Sequence, residues 1–240
     1  MAFNIQNKEE NQNAPFGLLV QKGLVEDFSA YGTYGYNADV STSFETIWTG
    51  GGLYSYPTTA STASVTSSDT VSDNGGTVDL YGLNASYQLQ TERVVIGQTS
   101  TNTWIRVFSA TLVNATTGNE NVGTITVTVD SKSVAEIPAT YGKSLACIYT
   151  VPANCRAFIM TAGIGVSKQK EIEAKLMIRR LTDGNAFNTI GYQTLFGGNA
   201  YQEFTVPFLV DQKTDIEIRA KADATTSVSA TFSLYVEEYH

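Results

Sequence analysis

Val228-Ser229-Ala230-Thr231-Phe232-Ser233-Leu234-Tyr235-Val236 decides the fold class. Apolar residues take every second position, and Ser229, Thr231, Ser233 and Tyr235 fill the gaps. A strand projects successive side chains to opposite faces, so a period of two marks a strand with one apolar face. The same period recurs upstream. Ile216, Ile218 and Ala220 alternate with Asp215, Glu217, Arg219 and Lys221; Ile172, Ala174, Leu176 and Ile178 alternate with Glu171, Glu173 and Lys175. Ile125, Val127 and Val129 alternate with threonines. Glu171 and Lys175 have helical salt-bridge spacing, but the apolar set at 172–178 would wind around a helix instead of lining one stripe.

Turn residues punctuate these runs: Pro152-Ala153-Asn154, Asp183-Gly184-Asn185 and Gly197-Gly198-Asn199. With shorter runs at 86–90, 93–96, 103–113 and 124–129, the chain holds roughly ten strands, which fits an all-β, antiparallel β-sandwich of jelly-roll type. The turn cluster Asp73-Asn74-Gly75-Gly76 is the expected boundary between an extended N-terminal arm and docking region, 1–75, and a sandwich domain, 76–240.

Within 1–75, residues 16–28 are apolar enough to form a strand or two. Thr42 and Glu45 have capping-box spacing ahead of Ile47 and Trp48, and Gly50-Gly51-Gly52 follows, so a short helix is expected near 43–48. Ser and Thr fill 10 of the 15 positions at 58–72, which reads as an extended connector, with an edge strand as the alternative. Residues 1–14 are polar apart from Phe3 and Ile5. They read either as a disordered terminus or as an arm that orders on a partner through those two residues.

Most residues that do chemistry are missing. The one histidine is His240, the last residue, so a Ser-His-Asp triad or a multi-histidine metal centre has no histidine within the fold. No phosphate-binding GxxxxGK[ST] loop, dinucleotide fingerprint or EF-hand occurs. The carboxylate pairs Glu171/Glu173 and Asp215/Glu217 lie on the polar side of their alternating runs and read as solvated faces rather than glycosidase-like acids. No catalytic residue, cofactor or metal is expected. Asp73 and Asp183 are explained by turn chemistry.

Charge is uneven. Residues 1–120 hold 4 Lys and Arg against 11 Asp and Glu; residues 121–240 hold 11 against 12. No Lys or Arg lies between Lys22 and Arg93, which argues against nucleic-acid binding and suits docking on a basic protein surface. Cys147 and Cys155 flank the turn at Ala153 out of register, so they read as buried thiols, not a disulfide. Met1 to Asn13 has no apolar core of a signal peptide, and no run approaches a membrane-spanning length. Possible partner contacts are Phe3, Ile5, Tyr31, Tyr34, Tyr36, Trp48, Tyr54 and Tyr56. Trp48 is the expected anchor of its region, and the tyrosines supply flat amphipathic surface.

Several local patterns occur in a telling order: Gly35-Tyr36-Asn37-Ala38-Asp39-Val40; Glu45-Thr46-Ile47-Trp48-Thr49-Gly50-Gly51-Gly52-Leu53-Tyr54; Asp79-Leu80-Tyr81-Gly82-Leu83-Asn84; Tyr141-Gly142-Lys143-Ser144-Leu145-Ala146; and Tyr149-Thr150-Val151-Pro152-Ala153. Together they resemble a family of virion structural proteins of tailed bacteriophages of the marine and cyanophage type, over about residues 31–240. Asn154-Cys155 departs from that family's Gly-Lys after the Val-Pro-Ala turn. The resemblance implies a non-enzymatic homo-oligomeric particle component, assembled in the host cytoplasm against the major capsid protein or other virion proteins. A capsid-exterior decoration or cement subunit is the leading expectation. A tail or neck subunit and a carbohydrate- or receptor-binding module on the virion are the alternatives.

Overall fold

The computed structural model describes residues 14–182 and 184–239. The deciding run lies in β14 (Thr226–Glu238), where Val228, Ala230, Phe232, Leu234 and Val236 are buried. β14 sits between β1 (Phe28–Val40) and the first part of β11 (Cys155–Arg180), antiparallel to both. β11 is 26 residues long, and its pairing register jumps between Val166 and Glu171. Before the jump it pairs with β14. After it, β11 pairs with β13 (Thr214–Ala222), so β13 and β14 lie end to end along one edge. β12 (Phe187–Val210) follows β11 along the other edge. Two short strands, β2 (Glu45–Thr46) and β10 (Ile148–Thr150), pair with β13 and complete the sheet. The inner residues of β11, β13 and β14 join Ile47, Cys147 and Tyr149 in one hydrophobic core. Each large aliphatic side chain buried there contributes about 1.5–3 kcal/mol.

A second core lies between two smaller antiparallel sheets. One contains β6 (Thr99–Trp104), β3 (Ser61–Ser67), β8 (Ile125–Val129) and β9 (Lys132–Ile137), in that spatial order. The other contains β5 (Leu89–Val95), β4 (Thr77–Leu83) and β7 (Arg106–Asn114). Val65, Leu80, Trp104, Val107, Ile125 and Val127 are fully or almost fully buried between them. The molecule is therefore all-β and antiparallel, as expected, with two cores.

Two short segments stitch the cores together. Ile47 belongs to the first core and Trp48 to the second; Cys147 belongs to the first and Ala146 to the second. Adjacent residues point to opposite faces of an extended chain, so each segment serves both cores. The segments bond to each other, with Cys147 N–H donating to Ile47 O at 2.9 Å.

Three local expectations fail. Residues 43–48 are not helical. Thr46 and Glu45 pair with Arg219 and Ala220 as β2, and the Glu45 carboxylate accepts from Ser41 N–H, Ser41 Oγ and Gly52 N–H, capping a turn. Strand pairing across 170 residues outweighs a helix of one turn, whose nucleation is costly. Conversely, α1 (Phe16–Gln21) forms where strands were expected; Leu19 and Val20 pack with Val25, Phe28, Ala30 and Tyr235. Finally, Ser61–Ser67 is no connector: as β3 it pairs with β6 and β8, and Ala63 and Val65 are buried.

Candidate assembly surface

At Asp215 and Glu217 the polar side of β13 is not solvated, which corrects the sequence reading of these two residues. Both side chains are fully buried where β13 backs onto the second unit. Arg106 of β7 donates Nε and Nη2 to the two oxygens of Asp215, at 2.9 and 3.2 Å. Arg179 of β11 donates Nε and Nη2 to Oδ2, and Thr150 donates its hydroxyl to Oδ1. Glu217 is held by Arg219, Tyr56 Oη and Thr46 Oγ1. Burial pushes the Glu217 carboxyl above its usual range, against the pull of Arg219. The guanidinium groups of Arg179 and Arg219 also lie 4.7 and 4.4 Å from the Phe187 ring centroid. A buried pair of charges demands this degree of partnering. Both carboxylates spend their oxygens on it, so the network is a structural seam. By contrast, Glu171 is exposed and Glu173 half-buried; Glu173 pairs with Lys221 at 2.8 Å.

Asp183 lies outside the described residues, and Asp73 is buried. Asp73 accepts from Ser67 Oγ and from the backbone N–H groups of Val122 and Gly123. Cys147 and Cys155 are free and buried.

The candidate contact residues divide sharply. Phe3 and Ile5 lie outside the described residues. Trp48, Tyr54 and Tyr56 are buried and form an edge-to-face chain, with centroids 5.1 and 4.7 Å apart. Tyr31 packs against Tyr149 with the rings tilted and their centroids 4.6 Å apart, and burial raises its phenol pKa. Within the folded monomer these four serve the cores. Tyr34 is 71% exposed, and Tyr36 is half-buried beside Tyr141. β1 places these last two on the face opposite the first core, because Thr33, Gly35 and Asn37 point inward.

A long open edge lies where the sequence reading placed a turn: Gly197-Gly198-Asn199 does not separate two strands but lies within one, β12. β12 runs for 24 residues and, among the described residues, pairs with β11 alone. Its second edge therefore presents unpaired backbone groups. Edge strands are normally blunted by charges, prolines or shortness. β12 has one charged residue, Glu203, and one proline, Pro207. Tyr192, Phe196, Tyr201, Val206 and Leu209 are 47–82% exposed along it. The signal was available in principle: 24 residues with a single charge, flanked by turn residues. Bulges beside Ile190, Gly197 and Phe204 to Pro207 break the alternation that would have drawn attention to it.

No family model matches this chain, and no curated protein matches it. Among solved structures, T=1 particles derived from infectious bursal virus are 11% identical, covering 89% of this chain and 70% of that one, with a TM-score of 0.29. The structure of infectious bursal disease virus, Gt strain, is 11% identical, covering 98% of this chain and 78% of that one, with a TM-score of 0.23. Likeness at this level carries no argument about function.

Proposed function

We propose that this chain is a non-enzymatic structural subunit of a virus particle that works by binding other virion proteins and further copies of itself. The observation that carries the reading is the free edge of β12. Strand addition at such an edge satisfies backbone donors and acceptors while burying alternate side chains, which needs no chemistry from the subunit. Phe196, Val206 and Leu209 supply apolar area there. A chain of net charge −8 repels its own copies, and an edge with one charge is where two copies approach with least repulsion. The ordered motifs between Gly35 and Ala153 add the resemblance to tailed-phage virion proteins. Within that reading, the subunit sits on the capsid exterior as a decoration or cement protein, with the major capsid protein as neighbour; a tail or neck position uses the same contacts.

Purified, salt-washed virions should contain the protein in many copies, and a cryo-EM map should place β12 against another chain. Replacing Phe196 and Val206 together by Lys should abolish incorporation while leaving the circular dichroism spectrum unchanged. Absence from washed virions, or full incorporation of the double variant, would overturn the reading.

A further inference from the structure

The outer face of β1, β14, β11 and β12 carries two aligned rows. Cross-strand register places Tyr34, Thr231, Gly163 and Tyr201 side by side, and next to them Tyr36, Ser229, Gly165 and Asn199. All eight lie opposite the first core, since Ile164, Val166, Val228 and Ala230 between them point inward. The rows form a trough with a volume of about 460 Å³, which falls in the range of small-molecule sites. A second hollow of about 340 Å³ shares Tyr36, Gly165, Asn199 and Ser229 and carries the trough on past Ser167, Ser227 and Gly198.

Its construction is specific. The floor is low because Gly163 and Gly165 lack side chains. A Cβ at Gly163 would stand 3.1 Å from Tyr201 Cδ2, and one at Gly165 would stand 3.0 Å from Ser229 Oγ. The Tyr201 ring thus covers Gly163 on one side, yet the residue is 65% exposed, so its other side is open. Covering a strand glycine explains that much of Tyr201. It does not explain Tyr34 on the opposite wall, 71% exposed. Three interstrand gaps separate the walls, about 14 Å at ~4.8 Å per gap.

We infer that this trough binds a neutral oligosaccharide. Tyrosine rings at both walls offer flat faces to the C–H faces of sugar rings. Ser229 and Asn199 offer donors and acceptors to sugar hydroxyls. The Thr231 hydroxyl donates to Thr33 O at 2.6 Å, so it faces the trough as an acceptor. No lining residue is charged, in a chain of net charge −8. An acidic glycan or a nucleic acid would find no cation to pair with, and a purely apolar ligand would leave the polar groups of Ser229 and Asn199 without partners. The two continuous hollows favour a chain of sugars over a single one. This inference stands apart from the assembly reading, because the trough opens on the sheet face and not along the β12 edge.

The test is an array of neutral hexose and N-acetylhexosamine oligomers probed with the full-length protein, followed by calorimetric titration of the best oligomer. Wild type should bind a neutral oligomer, and acidic glycans should not compete. Tyr34→Ala and Tyr201→Ala should each weaken binding about tenfold, the loss of one ring-stacking contact. Tyr201→Phe should retain most of the affinity. Phe196→Ser, outside the trough, should change nothing. Tyr34→Ala should still enter virions, so the two readings fail separately. The inference is overturned if no neutral oligomer binds at millimolar concentration, if only acidic glycans bind, or if binding survives both alanine variants.

Discussion

Arg106 and Asp215, 109 residues apart, meet through two hydrogen bonds at 2.9 and 3.2 Å, with side chains 3% and 0% exposed. Arg106 opens β7 of the second unit, and Asp215 belongs to β13 of the first. The ion pair therefore lies where the two units meet. Arg106 also donates Nη1 to the carbonyls of Pro57 and Ile105, so its donors are satisfied from both directions. This contact ties the two hydrophobic cores to each other.

Asp215→Asn should destabilise the protein by about 3–5 kcal/mol, because it leaves Arg106 buried without its counter-charge. Urea unfolding followed by tryptophan fluorescence and by near-ultraviolet tyrosine signals should show one shifted transition. No shift would mean that the cores hold together without the pair.

Trp48→Ala should cost about 3–5 kcal/mol. The ring is buried in the second core, its Nε1 donates to Gly52 O at 3.2 Å, and Gly50 packs directly on it. Protease cleavage should appear first around residues 49–56. Unchanged protease resistance there would show that Tyr54 and Tyr56 hold the segment alone.

A chain that starts at Gly76 should fail to fold. It would lack β1, which pairs with β14 from Phe28 to Val40, and it would lack Ala63 and Val65 from the second core. Circular dichroism and size-exclusion chromatography of that truncation decide the matter. A soluble, β-rich monomer would show that residues 76–240 are sufficient.

Alkaline pH should unfold the protein cooperatively. Burial pushes the Cys147 thiol up to about 12 and the Cys155 thiol up to about 11, from an ordinary 9.0. Burial also raises the phenols of Tyr31, Tyr54, Tyr56 and Tyr149 above 10.0. The fold holds the neutral forms of these groups, whereas the unfolded chain releases their protons at the ordinary values. Their stabilising contribution is complete below about pH 9 and falls as pH rises beyond it. Tyrosinate absorbance from these four residues should appear only as near-ultraviolet ellipticity is lost. Full titration of every tyrosine with the ellipticity intact would contradict this.

The strands were legible where their signal is local. The alternation at 228–236 and 172–178 follows from the pleat, which any strand with one buried face imposes on its own residues. The same logic made the polar faces of β13 and β14 indistinguishable. Both alternate, yet Ser229 and Thr231 line an open trough while Asp215 and Glu217 are sealed in a seam. What covers a second face comes from another sheet, and no periodicity within the strand encodes it. The Thr42 and Glu45 spacing misled for a related reason: a carboxylate that can cap a helix can equally cap a turn, and a partner strand at 219–220 chose between them.

By itself, then, the sequence determined that this chain is an antiparallel β protein whose single histidine is its last residue. Side-chain periodicity and residue chemistry are local properties. Only the tertiary structure decided that Trp48, Tyr54 and Tyr56 belong to a core, that Tyr34 and Tyr201 stand on either side of Thr231 and Gly163, and that β12 is left, among the described residues, with an unpaired edge. Those outcomes depend on which strands become neighbours. That choice is made by contacts between residues distant in sequence, Tyr34 with Thr231 among them, whose free energy no local window contains.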